Sequence, residues 1–203
     1  MLIEVHPDNP DKRKIQLIAE ALRKDAVIIY PTDTIYGIGC SIHSKSGIEK
    51  ICRIKNIPVN KAKLSFICKD LSDISQYTKS LSTPVFRMLK SLTPGCYTFI
   101  FEASKEVPKL LKSKKDEVGI RVPEHNICQA IIEELGHPIV STSLPMDEEV
   151  EYYTDPEVIY ESFGHQVDYV IDGGIGGMVG STIIDFTSGE PELIRLGAGP
   201  FEE

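Results

Sequence analysis

The chain has 203 residues, a formal net charge of −8 and a hydrophobic fraction of 41%. That length suits one large α/β domain spanning residues 1–203, with a substantial core and little room for two full domains, and the acidic balance argues against generic adhesion to nucleic acid. No apolar run approaches a membrane span, and MLIEVHPDNPDKR carries neither a signal nor a transit pattern, so a cytoplasmic protein with no membrane partner is expected.

In chain order, Asp11 to Lys24 reads as an amphipathic helix. Ile15, Ile18 and Leu22 share a face, and Asp11 is its N-cap. Ala26 to Tyr30 is a short, β-branched apolar run stopped by Pro31, which predicts a buried strand. A second helix is expected over Ser46 to Ile54, a strand over Leu64 to Cys68, and helices over Leu71 to Lys79 and Pro84 to Leu92. Thr93-Pro94-Gly95 breaks the chain. Strands follow at Tyr97 to Glu102 and Val118 to Val122, then a helix at Ile127 to Leu135 and a strand at Pro138 to Ser141. The acidic stretch after Ser143 reads as a surface loop. Three strands close the pattern at Asp168 to Ile171, Thr182 to Phe186 and Leu193 to Leu196. Early alternation and late clustering of strands predict a mixed sheet, partly parallel, with helices packed on it.

The five cysteines contain no C-x-x-C pair and their number is odd, so buried thiols are expected rather than a disulfide framework or zinc. The five histidines show no metal-ligand spacing, so no dedicated metal site is expected. Charge is unevenly placed. Lys50, Arg53, Lys55, Lys61, Lys63 and Lys69 fall in one stretch without an acid, while Met146 to Glu161 holds seven acids without a base. Such runs are either solvated faces or a local anion site inside an acidic protein.

Five constellations carry chemistry. YPTDTIYGIGC, Tyr30 to Cys40, opens a strand into hydroxyls, a carboxylate and two glycines, which suits a small-molecule site or an ordinary capped turn. Lys55, Lys61 and Lys63 flank Pro58 on a loop able to hold a polyphosphate. Arg121 stands inside the apolar strand GIRVP, where its charge must find a counter-charge, a ligand carboxylate or solvent. STS, Ser141 to Ser143, ends a strand in hydroxyls and lacks the glycines of a nucleophile elbow. DGGIGGMVGSTIIDF leads into a strand, unlike a phosphate loop, which opens a helix. It reads as a mobile loop delivering Ser181 and Thr182.

Taken in order, YPTDTIYGIGC, the lysine-rich loop, TPGCYTFIFEA, VGIRVP, STS, STIIDF and PELIRLGAGP resemble the YrdC-like family over nearly the whole chain. The resemblance implies a twisted mixed open sheet, parallel and antiparallel, with flanking helices around a basic concave cavity. The family includes threonylcarbamoyl-AMP synthases, nucleotidyltransferases that join threonine, bicarbonate and ATP for tRNA N6-threonylcarbamoyladenosine modification. By position, the resemblance implies that Thr34, Arg121, Ser141 and Ser181 bind threonine, with Arg121 clamping its carboxylate. It implies that Lys55, Lys61, Ser143 and Arg195 serve ATP. Mg²⁺ is expected to arrive with ATP, and no covalent nucleophile is needed.

The family's Lys-x-Arg reads Lys55-Asn56-Ile57 here, and its Ser-x-Asn reads Ser143-Leu144-Pro145. Both departures resemble the YciO-type branch. An alternative reading is therefore a YciO-type nucleotide- or double-stranded-RNA-binding protein without efficient synthesis. Under either reading the resemblance implies tRNA or double-stranded RNA, and tRNA-modification proteins, as partners.

Overall fold

The computed structural model describes residues 1–111, 115–145 and 153–201. Its ten strands are β1 (Leu2–Glu4), β2 (Ile28–Tyr30), β3 (Gly37–Ser41), β4 (Ser65–Ile67), β5 (Tyr97–Glu102), β6 (Glu117–Arg121), β7 (Ile139–Ser143), β8 (Tyr169–Asp172), β9 (Thr182–Asp185) and β10 (Glu192–Arg195). They form one sheet in the order β1-β8-β2-β3-β7-β4-β6-β5-β9-β10. The pairs β1–β8, β2–β8, β4–β6 and β5–β9 are parallel and the other five are antiparallel, so the sheet is mixed, as its pattern predicted. Six helices flank it: α1 (Lys12–Arg23), α2 (Lys45–Ile54), α3 (Leu71–Tyr77), α4 (Thr83–Leu92), α5 (Asn126–Leu135) and α6 (Pro156–Phe163).

Local chemistry sets the helix boundaries. Asp11 Oδ1 accepts the Lys14 N–H at 3.0 Å and starts α1, and Ser44 Oγ does the same for Gly47 at the head of α2, at 2.9 Å. Gly136 closes α5 in the left-handed region, with φ at 83°, where a Cβ would be strained.

The two sheet faces are covered unequally. On one, Ile38, Cys40, Phe66, Phe99, Ile120, Val140 and Ile184 meet buried residues of α2, α3, α4 and α6 in the larger core. On the other, Ile28, Tyr30, Ile67, Ile139 and Ile171 pack only against α1 and α5. Each such aliphatic side chain contributes about 1.5–3 kcal/mol when fully buried. Beyond α1 and α5 the second face carries a row of cross-strand neighbours with almost no side chain: Gly39 opposite Ser141, Ser141 opposite Ser65, Ser65 opposite Gly119. The row makes a sunken polar floor. At Gly39 a Cβ would stand 2.7 Å from Ile139 Cγ2, so only glycine fits.

Three elements depart from expectation. β1 was absent from the sequence reading. β3 lies within YPTDTIYGIGC, where Gly37 and Gly39 hide the strand signal. The acidic stretch after Ser143 is not simply a loop. Met146 to Tyr152 lies outside the described residues, but Pro156 to Phe163 is α6, capped by Asp155 and buried through Ile159 and Phe163.

Candidate functional site

Above the polar floor, the turn after β2 meets the end of β6. Arg121 is buried at 8% exposure among hydroxyls and one carboxylate. Its Nη2 donates to Asp33 Oδ1, to Thr34 Oγ1 at 2.7 Å and to Thr32 Oγ1 at 3.4 Å. Asp33 Oδ2 accepts the Glu124 N–H at 3.0 Å. The buried strand arginine thus finds its counter-charge in the Thr-Asp-Thr turn. Nη1 makes no hydrogen bond among the described residues, and Nε, on the same edge as Nη2, is buried with no hydrogen-bond partner.

Proton accounting shows what the hydroxyls can offer. Tyr30 Oη donates to Ser141 Oγ at 2.6 Å, and Ser141 Oγ donates to the Ile38 carbonyl at 3.1 Å. Thr32 Oγ1 donates to the Ile35 carbonyl at 2.7 Å and accepts from the Thr34 N–H at 3.1 Å and from Arg121 Nη2, so both its lone pairs are used. A hydroxyl has one proton and two lone pairs. Ser141 has therefore committed its proton to the protein, and Ser141 and Thr34 each keep a lone pair for a ligand donor. Burial pushes the Tyr30 phenol well up, so it remains a donor.

Ser181 Oγ and Thr98 Oγ1 are 2.8 Å apart and both buried. The Arg195 guanidinium donates to the Ser181 carbonyl at 2.7 Å and lies against Gly180, so its head is used on the glycine loop. Thr182 does not join the site. It is fully buried, accepts from Gly197 N–H and donates to the Gly199 carbonyl. The loop itself is tied over Thr34 and Tyr36, because Gly177 N–H donates to the Thr34 carbonyl at 2.7 Å and Tyr36 Oη to the Gly174 carbonyl at 2.7 Å.

At the other end of the floor, Lys55 Nζ donates to the Ser143 carbonyl at 2.6 Å and reaches its Oγ at 3.4 Å. Burial holds the Lys55 ammonium below its usual range. Lys61 is exposed and its side chain meets no partner among the described residues. The basic stretch is not one patch: Lys50 pairs with Asp168 and Lys69 with Glu133, both at 2.9 Å. Ile57, at the place of the family arginine, is half-buried and packs against the larger core. Leu144 is buried in the same core.

The structure joins Thr34 with Arg121, Lys55 with Ser143, and Ser181 with Arg195. Sequence reasoning missed Thr98 and His125 and did not assign Asp33, Tyr30 or Thr32 to the site. Thr98 had a signal, as a hydroxyl inside the apolar run YTFIFE. The cysteines are free; Cys96 alone is only partly buried. Burial pushes Cys40 up to about 12 and Cys96 up to about 11, so these thiols are inert.

A mixed open sheet with helices on both faces, a floor of glycine and serine, and a buried arginine with unbonded nitrogens define an α/β protein with a polar recess. The chain belongs to the Sua5/YciO/YrdC family, whose model, described as telomere recombination, matches residues 20–197. It is 43% identical to YciO of Escherichia coli (strain K12) over 96% of this chain and 94% of that one. The crystal structure of E. coli YciO superposes with a TM-score of 0.91, covering 98% of this chain and 97% of that chain at 42% identity. A threonylcarbamoyl-AMP synthase of Vibrio vulnificus (strain YJ016) is 30% identical over 80% of this chain and 87% of its own length. P. abyssi Sua5 complexed with L-threonine superposes with a TM-score of 0.87 at 27% identity, covering 97% of this chain and 57% of that one. Among the described residues no helix is long and apolar enough to cross a membrane.

Proposed function

We propose that this chain is a cytoplasmic threonylcarbamoyl-AMP synthase-type enzyme, binding threonine at Arg121 and ATP toward Lys55. The observation that carries the reading is Arg121 Nε, buried and unbonded on the edge it shares with Nη2, together with a Ser141 hydroxyl whose proton is already committed. A carboxylate satisfies the guanidinium edge, where two parallel N–H groups favour it. The ammonium and hydroxyl of a hydroxy amino acid are donors, which Ser141 and Thr34 can accept. Relatives named threonylcarbamoyl-AMP synthase and the threonine complex of a Sua5 support the same assignment.

In this reading, bicarbonate loses water to give CO2, and the threonine amine, having released its ammonium proton to solvent, attacks that carbon and loses a second proton, giving N-carboxythreonine. That carboxylate attacks the α-phosphorus of ATP and expels pyrophosphate. Holding the reactants together supplies most of the acceleration. Lys55, with Lys61 and Ser143, faces the phosphates, and Arg195 approaches the nucleotide by holding the glycine loop through Ser181. Mg²⁺ enters as the companion of ATP. Pyrophosphate release that requires both threonine and bicarbonate tests the proposal, and its absence at saturating ATP would overturn it.

Ile57 favours a second reading. With that side chain packed on the core, no planar cation occupies the place of the family arginine. A protein that binds threonine and a nucleotide or double-stranded RNA, without efficient synthesis, then shows binding heat with no pyrophosphate.

A further inference from the structure

Among the described residues, two buried side-chain nitrogens lack a hydrogen-bond partner: Arg121 Nε and His125 Nδ1. Native folds leave few such groups, and two that share surroundings point to a common cause. Arg121 bonds Asp33 directly, and His125 adjoins the backbone that does. Arg121 Nη2 occupies Asp33 Oδ1, and the N–H of Glu124, the residue before His125, donates to Oδ2 at 3.0 Å. Asp33 and Arg121 are the charges acting on the His125 imidazole. Helix capping does not explain this histidine, because it sits at the N-cap of α5 and its side chain makes no capping bond. Burial holds its pKa below the usual value, so near neutral pH the ring is uncharged and has one N–H to give.

We infer that Asp33 is exchanged between Arg121 and His125, so that His125 is a positioning residue for the amino-acid carboxylate. This rests on the reading of Arg121 as the carboxylate clamp. Without ligand, Arg121 holds Asp33 through Nη2. When a ligand carboxylate takes the guanidinium, Asp33 turns to the Nδ1–H of His125. A carboxylate stranded in a buried place would oppose ligand entry. A waiting neutral donor removes that opposition, and the exchange satisfies both orphaned nitrogens at once.

The experiment is histidine-selective nitrogen NMR on the ligand-free protein and its Arg121→Gln variant, with calorimetric titration of threonine into the wild type, His125→Ala and His125→Asn. Removing the guanidinium should hand Asp33 to His125. A protected, hydrogen-bonded Nδ1 proton is then expected in Arg121→Gln, absent in the ligand-free wild type and lost again when Asp33→Ala is added. His125→Ala should weaken threonine about tenfold or more, as loss of a buried bond to a charged group does. His125→Asn should restore it, since its amide N–H stands where Nδ1–H stands. Wild-type threonine affinity in His125→Ala, or no Nδ1 proton in a folded Arg121→Gln, overturns the exchange. A wild type that binds no threonine while Arg121→Gln shows the proton keeps the exchange and overturns the proposed function instead.

Discussion

Arg121 is held to Asp33 through a single nitrogen, Nη2, although both side chains are over nine-tenths buried. Nη2 is thereby committed to the fold, while Nη1 and Nε make no hydrogen bond among the described residues. Arg121→Ala should destabilise the protein by about 3–5 kcal/mol, because it removes the counter-charge of a buried carboxylate, which a neutral donor does not replace, and should abolish threonine binding. Arg121→Lys keeps the charge but not the second edge. It should cost less stability while weakening threonine at least about tenfold. Urea unfolding and calorimetry on both variants measure the two effects separately, and unchanged threonine affinity in either would remove Arg121 from the clamp.

Tyr30 and Ser141 allow a test of direction within the hydroxyl chain. Tyr30→Phe deletes a donor and leaves Ser141 bonded to the Ile38 carbonyl, at a cost of about 0.5–1.5 kcal/mol. Ser141→Ala leaves the buried Tyr30 hydroxyl with no acceptor, which costs about 1–3 kcal/mol. The serine variant should therefore have the lower urea midpoint. The reverse order would mean that the tyrosine, not the serine, joins the chain to the backbone.

His137 predicts a pH dependence far from the candidate site. Its Nδ1 lies 3.0 Å from the Pro138 carbonyl, and its ring meets His43 edge-on at 4.6 Å. Burial, with His43 and Arg23 nearby, holds its pKa below 6.5 in the fold, against the weaker opposing pull of the Pro138 carbonyl. The unfolded chain then binds the proton more tightly, so stability falls as pH drops below about 6.5 and is flat above it. His125 adds a shift of the same sign. His137→Gln should flatten part of the loss in urea midpoint between pH 7 and pH 5, and a profile identical to the wild type would rule out this origin.

Much of the fold was legible because several elements carry local signals, although α6 did not announce itself. Asp11, Ser44 and Gly136 are capping signals that local backbone geometry requires, and the strand at Tyr97 needed only its pattern. Arg121 was legible for an energetic reason, since a charge in an apolar strand demands a partner. Which partner was not legible: Asp33 is 88 residues away in sequence, and a long-range ion pair leaves no local signature. The same holds for β3, whose glycines look like a turn until the Ser141 row shows that the floor needs them small. The basic run misled because charge in sequence says nothing of direction. Lys50 and Lys69 turn to Asp168 and Glu133, while Lys55 alone reaches Ser143.

Lys55 carries the last prediction, a conflict between stability and function. Burial lowers its pKa in the fold, so the charged form is favoured more by the unfolded chain. The penalty is therefore fully present at neutral pH and is relieved as pH rises through the folded pKa toward 10.5. Lys55→Met, which retains the stem and drops the ammonium, should leave the urea midpoint unchanged or raised at pH 7. It should also weaken ATP about tenfold or more, as expected for loss of a hydrogen bond to a charged group. A variant that is less stable yet binds ATP normally would show that Lys55 is a prop for Ser143 and not a phosphate ligand.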